Sequence, residues 1–262
     1  MTTPLLEVTS LLMRFQGITA LDNVSFTMER GSITSLIGPN GAGKTTLFNC
    51  VTGMYTPTSG KVAFDGVDIT GEAAHLVSRH GIARTFQNLA LFGGLTVLDN
   101  LLVGAYRQGS SGLLQGAFRT PRARAEQRAA VASATEVLEF LGMPETAHLM
   151  PGEMSYGRQK QVEFARALMQ KARLVLLDEP MAGMSASEKS AMTALIQRVR
   201  ERFGMSFLIV EHDIPVIMDI SDKIVVLDFG RKIAEGTPHQ VQADEAVIAA
   251  YLGTEHGSTQ AA

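Results

Sequence analysis

The chain has no tryptophan, one cysteine in 262 residues and only 6% aromatic side chains. It also lacks any stretch approaching the roughly 20 apolar residues needed to span a bilayer. A lone Cys50 excludes an internal disulfide; it fits a reducing compartment and reads as a small core residue. The start "MTTPLLEVTSLLMRF" has no basic segment followed by a long apolar run, so no secretory signal is expected. Any membrane work therefore falls to other subunits. Neither charge sign dominates: a formal net charge of -3 gives no global reason to expect nucleic acid or an anionic membrane as partner. What is present in quantity is apolar surface, 45% of residues, enough for a sizeable core in one large domain or two small ones.

Hydrophobic spacing divides the chain. "VSFTME" alternates, placing Val24, Phe26 and Met28 on one face, and Gly31-Ser32 turns it into the buried-strand run "ITSLIG". A glycine-rich turn and a helical pattern from Thr45 follow, then "KVAFDGVDI", whose Asp65-Gly66 is a strong hairpin signal. From about Val97 to Gln170 the composition shifts to Ala, Leu, Arg and Glu, with helical spacing at Val137, Leu138 and Leu141. This predicts a helical insertion, with "RQGSSGLLQGAFRTPRARAEQ" as a loop or short helices at its outer edge. From Arg173 strands and helices alternate again through "LVLLD", "SFLIV" and "KIVVLD", with Ser185 and Glu188 at capping-box spacing between the first two. Such alternation predicts a parallel sheet whose functional loops lie at the carboxyl ends of the strands. The tail "GTEHGSTQAA" reads as frayed.

Three segments and one further glutamine carry chemistry. "GPNGAGKTT" comprises Gly38, Pro39, Asn40, Gly41, Ala42, Gly43, Lys44, Thr45 and Thr46, and matches G-x-x-x-x-G-K-[ST] between a strand and a helix. Glycines let successive amides face one concavity, and the helix N-terminus adds partial positive charge where phosphates would sit. Lys44 can reach β- and γ-phosphates, and the Thr45 hydroxyl can ligate Mg²⁺. "LVLLDEP" ends a buried strand in two carboxylates: Asp178 suits Mg²⁺, and Glu179 suits a general base polarising water. "SFLIVEHD" delivers His212 to the same edge, where it can help organise the γ-phosphate and water. Gln87, after the apolar "GIARTF", is a neutral side chain able to touch Mg²⁺ or water.

In this order the motifs resemble the ATP-binding subunit of an ABC transporter. Its Q-loop glutamine matches Gln87, and its signature turn matches Met154 to Arg158, "MSYGR", which contains Ser155 and Gly157. The resemblance covers essentially the whole chain. It implies an α/β P-loop ATPase with a RecA-like core, an N-terminal antiparallel β subdomain and a helical signature subdomain. Residues 1–87 and 172–252 would form the core lobe, 88–171 the helical part and 253–262 a flexible tail. The family's adenine-stacking aromatic matches Phe15 in "MRFQG", and the groove for a permease coupling helix matches the region of Leu91, Phe92 and Leu95. ATP and Mg²⁺ are the implied cofactors. Within the family, "GIARTFQNLALFGGLTVLDNLLVGA", the long insertion and "MSYG" look like the branched-chain amino acid transporter ATPase of the longer type. That similarity implies a bacterial importer at the cytoplasmic face of the inner membrane. It would have two permease subunits, a periplasmic binding protein, a second ATPase chain or a second copy of this one, and no nucleic acid. Importers of urea or short amides, and soluble non-transport ABC ATPases, are the competing readings; the short span from Lys44 to Ser155 and the single cassette disfavour the latter.

Two departures stand out. Ser185, in "MAGMSAS", occupies the place of an aspartate usual in the family, which puts the usual cross-subunit contact in question and favours unequal ATP sites. The usual Leu-Ser-Gly-Gly-Gln keeps only Ser155 and Gly157, so Tyr156 is tolerated if its ring points away from phosphate. Tyr156→Gly is accordingly expected to leave ATPase activity largely intact while Ser155→Arg abolishes it, as read by phosphate release; loss of activity in the first variant would assign the tyrosine a direct role.

Overall fold

A computed structural model describes residues 3–85, 89–105 and 121–255. Within these the strands are β1 (Leu6–Phe15), β2 (Ile18–Met28), β3 (Ile33–Ile37), β4 (Ser59–Phe64), β5 (Val67–Asp68), β6 (Ile82–Arg84), β7 (Leu174–Asp178), β8 (Ser206–Val210), β9 (Lys223–Asp228) and β10 (Arg231–Gly236). They form two sheets, an antiparallel one in the order β2-β1-β4-β5 and a larger one in the order β10-β9-β3-β8-β7-β6. In the larger sheet every pair is parallel except the edge pair β9–β10.

The strands follow from their patterns. Every residue of β3, β7 and β8 is buried, which is why they read as mainly apolar runs without alternation, Thr34 and Ser35 in β3 included: a parallel strand covered on both faces has no solvent side on which to alternate. β2 is half-covered, and its inward residues Val24, Phe26 and Met28 are all buried, as the alternation predicts. Asp65 and Gly66 turn β4 into β5 with φ of +54° and +77°, the paired positive values of a tight hairpin turn. Cys50 lies in the core, where burial pushes its thiol pKa up to about 11.

The chain divides into two compact units. One takes in the chain up to Arg84, Arg173–Pro180 and the chain from Ile196 onward; the other consists of Thr85–Ala172 and Met181–Leu195. Both sheets belong to the first. The second is built on the helices Val97–Ala105, Pro121–Phe140 and Tyr156–Leu168, packed around Val97, Leu101, Leu138 and Val162. Pro121 opens its helix at the position where a missing N–H costs nothing. "PRARAEQ" is thus helical; the part of the expected outer loop before it, 107–120, lies outside the described residues.

Two boundaries differ from those read in the sequence. Met181–Leu195, expected in the core lobe, packs instead with the helical unit: the Tyr156 ring covers Gly183, and the Glu188 side chain covers Gly157. The last helix, Glu245–Glu255, continues past the expected start of the tail at residue 253.

Asn100 is fully buried in the helical unit and ties down the turn before its own helix. Its Oδ1 accepts the Phe92 N–H at 2.8 Å, and its Nδ2 donates to the carbonyls of Phe92, Leu95 and Thr96. Asn100→Ala strands these buried groups and should lower unfolding free energy by about 3 kcal/mol, measured by urea titration. A loss below about 0.5 kcal/mol would mean that water replaces the side chain there.

Candidate functional site

The loop Gly38–Gly43 links β3 to the helix Lys44–Val51 and depends on three positive-φ glycines, Gly38 (+149°), Gly41 (+82°) and Gly43 (+99°). Two of them also admit neighbouring backbone. A Cβ at position 38 would lie 2.0 Å from the Leu227 carbonyl oxygen, and one at 43 would lie 2.6 Å from that of Ala20, so the loop is seated between β9 and β2. The first helical turn has no side-chain cap, which leaves its amides for an anion. Lys44 is 7% exposed, and its ammonium donates to the carbonyls of Gly38 (2.6 Å) and Pro39 (3.0 Å). Burial pushes its pKa below the ordinary lysine value, while the Glu179 and Asp178 carboxylates push it back up. Thr45 is exposed in that first turn, beside a half-buried Thr46; Asn40 is exposed and Pro39 half-buried.

Asp178 and Glu179 follow from β7. Asp178 is buried and paired with Arg84, Nη2 to Oδ2 at 2.7 Å. Arg84, the last residue of β6, also donates to Asn49 Oδ1 at 2.6 Å and lies over the Phe48 ring. Glu179 adopts φ +48°, unusual outside glycine, and its N–H donates to the Val210 carbonyl at 2.8 Å. That turn carries its Oε1 to within 2.9 Å of His212 Nε2, which lies just past the end of β8. The His212 N–H in turn donates to Glu211 Oε2 at 3.0 Å.

Lys44, Asp178, Glu179 and His212 are therefore brought together in one unit. Gln87 lies outside the described residues. Phe15, at the end of β1, is 38% exposed and meets Tyr55 edge-on at 5.3 Å, so it is not a core residue. It pairs with Ile18 across the β1–β2 turn, two residues before the Ala20 that abuts Gly43.

Ser155 and Gly157 belong to the helical unit. Ser155 caps the helix Tyr156–Leu168, with Oγ accepting the Arg158 N–H at 3.5 Å. Gly157 is buried under Glu188, and Tyr156 turns its ring toward Gly183 of the same chain, with the Lys160 ammonium 5.9 Å from the ring centroid. In the permease-groove segment, Phe92 is exposed, whereas Leu91 packs partly against the helical core.

Three residues that contact predicted ones within their own units escaped the sequence reading in that role. Arg84 ends an apolar strand with a charge just as Asp178 does, and that signal was available. Glu188 was legible only as a helix cap. Tyr251, half-buried with its phenol hydrogen-bonded to the backbone of Gly38, carries no local signal because the contact joins distant parts of the chain.

The ABC transporter family model matches residues 21–182, and that of the branched-chain amino acid ATP-binding cassette transporter matches residues 231–257. Over 253 residues the chain is 43% identical to the high-affinity branched-chain amino acid transport ATP-binding protein BraF of Pseudomonas aeruginosa, covering 97% of this chain and 99% of that protein. It is 41% identical, with the same coverage, to LivG of Escherichia coli K12, which carries the same description. An ATP-binding cassette of an ABC transporter, solved in its ADP conformation, superposes with a TM-score of 0.84 at 33% identity, over 96% of this chain and all of that one. A nucleotide-free cassette gives 0.82 at 32% identity, over 95% and 99%.

The Arg84–Asp178 pair makes a direct prediction. Arg84→Met leaves a buried carboxylate without its cation and should cost about 3–5 kcal/mol of stability, read by urea titration. A loss under about 1 kcal/mol would mean that Asp178 finds another partner.

Proposed function

This chain belongs to the family of ABC transporter ATP-binding subunits, and from that premise we propose that it hydrolyses ATP to drive branched-chain amino acid uptake through separate permease subunits. The observation that carries the catalytic part is the Glu179–His212 contact, 2.9 Å, formed in the same unit as the glycine loop and Lys44. The identity to BraF and LivG over nearly the whole chain supports the solute.

In this reading the amides of Gly38–Gly43 and the Lys44 ammonium bind the phosphates, and Phe15 stacks on adenine. Glu179 accepts a hydrogen bond from the attacking water, and His212, held by Glu179, orients it against the γ-phosphate. Water oxygen bonds to the γ-phosphorus as the bond to the bridging oxygen breaks, giving ADP and inorganic phosphate. Thr45, Asp178 and Gln87 would hold magnesium. Hydroxyl, carboxylate and amide oxygens are the sparse hard set this ion takes beside phosphates; Thr45 is exposed at the start of the helix, and Asp178 ends β7 with a carboxylate that Arg84 meets at Oδ2. Bound there, the ion neutralises phosphate charge. Ser155 and Gly157 close over the nucleotide of a partner ATPase, a related chain or a second copy, so that ATP binding becomes dimer closure and hydrolysis releases it.

Among the described residues no helix is long and apolar enough to cross a membrane, which accords with a peripheral subunit docked on permeases at the cytoplasmic face, Phe92 lying in the docking segment. Glu179→Gln should lower ATP turnover at least 100-fold while ATP shifts the protein to a dimer, measured by phosphate release and light scattering. A monomer with intact turnover would overturn the catalytic assignment. A deletion strain should lose uptake of leucine, isoleucine and valine. Retained uptake of all three in a strain without a second system, with loss of urea or short-amide uptake, would overturn the solute.

A further inference from the structure

Gly157 occupies a helix without needing glycine's backbone freedom. Its φ is not positive, and glycine is the poorest helix former after proline, so backbone conformation does not account for it and its packing bears on the choice. The neighbour is Glu188. A Cβ at position 157 would lie 2.3 Å from Glu188 Oε1, 2.8 Å from its Cδ and 3.2 Å from its Cγ. That side chain is not at liberty to swing aside. Its Oε2 accepts the Ser185 N–H at 2.9 Å and the Ser185 hydroxyl at 2.8 Å, and the Ser185 Oγ faces the Glu188 N–H at 3.4 Å. The two hydrogen bonds from Ser185 hold the carboxyl below the usual carboxylate range. One carboxylate thus grips the loop after Glu179 with one oxygen and lies against the first turn of the helix behind Ser155 with the other.

We propose that Glu188 is a positioning residue that fixes the 183–188 loop to the signature turn of the same chain, and that position 157 is glycine to admit the Glu188 carboxylate. The serine at 185 then has a defined use: it donates to this strut from its backbone and its side chain. The catalytic consequence rests on the reading that Ser155 and Gly157 complete a partner's nucleotide site; the strut itself rests on contacts within the helical unit.

The test is a double-mutant cycle in the full-length chain, with Glu188→Ala, Gly157→Ala, both together, and Glu188→Gln. An alanine at 157 displaces the carboxylate, so both single variants should raise amide hydrogen exchange at Ser185 about tenfold, and the double variant should match Glu188→Ala within about twofold. Glu188→Gln, which keeps an acceptor oxygen, should restore protection. ATP turnover should follow for Glu188, whose side chain reaches no nucleotide in this reading: several-fold lower kcat in Glu188→Ala with KM for ATP within about twofold, and most of the rate recovered in Glu188→Gln. Unchanged exchange in Glu188→Ala, or single effects on exchange that multiply in the double, would overturn the proposal. Should Gly157→Ala fail to fold, the contrast between Glu188→Ala and Glu188→Gln decides it. A wild-type chain that hydrolyses no ATP would sink the function proposed above while the exchange measurements still decide this one.

Discussion

Burial of β3, β8 and β7 on both faces is the constraint on which the chemistry of this chain depends. Three adjacent parallel strands with no exposed residue leave charged groups nowhere to go but their ends, and all three end on one edge of the sheet. The glycine loop, the Asp178–Glu179 pair and the Glu211–His212 pair are what the chain places there. Charge at such an edge must be compensated. Arg84 does this for Asp178 from the neighbouring strand β6, and the two carboxylates offset the burial of Lys44. The site is accordingly a small ionic network in which no member is independent of the others.

That same burial explains what was legible in the sequence. A strand covered on both faces is a mainly apolar run without alternation, so "ITSLI", "LVLLD" and "SFLIV" announce themselves, and the residues just past them are marked as edge residues. The Asp65-Gly66 turn and the Ser185–Glu188 cap are equally local, each decided within a few residues of backbone. β10 was missed for the opposite reason. An antiparallel edge strand with half-exposed residues, "RKIAEG", has neither alternation nor an apolar run. Its hairpin turn at Phe229 takes φ +42° at an aromatic residue, which no turn rule based on glycine or asparagine anticipates. Non-local pairings such as Tyr251 with Gly38, and the packing of Met181–Leu195 with the helical unit, are set by tertiary contact and leave no trace in spacing.

The serine at 185 shows how a substitution read alone misleads. Counted by position, the loop has lost a carboxylate. Counted in space, a carboxylate is present, three residues on, bound to that serine and laid against Gly157. The tyrosine in the signature turn fits the same picture: its ring rests on Gly183, so the bulk that departs from the family pattern is used within its own chain. Departures at 156 and 185 therefore fall within one local packing arrangement of the helical unit.

Glu179 is the place where the fold accepts strain. A left-handed conformation at a non-glycine residue costs on the order of 1 kcal/mol, and an extended backbone would avoid it. The geometry gives the reason. Leaving β7 through a left-handed step lets the Glu179 N–H pair with the Val210 carbonyl at the end of β8, which holds the two strand ends together beyond the last rung of the sheet. With its backbone pinned to β8, the Glu179 side chain reaches the histidine that the same strand delivers two residues later. A glycine would relieve the strain but carry no carboxylate. The conformational cost is thus inseparable from the Glu179–His212 contact, and it is tolerated because the buried sheet beneath fixes both strand ends.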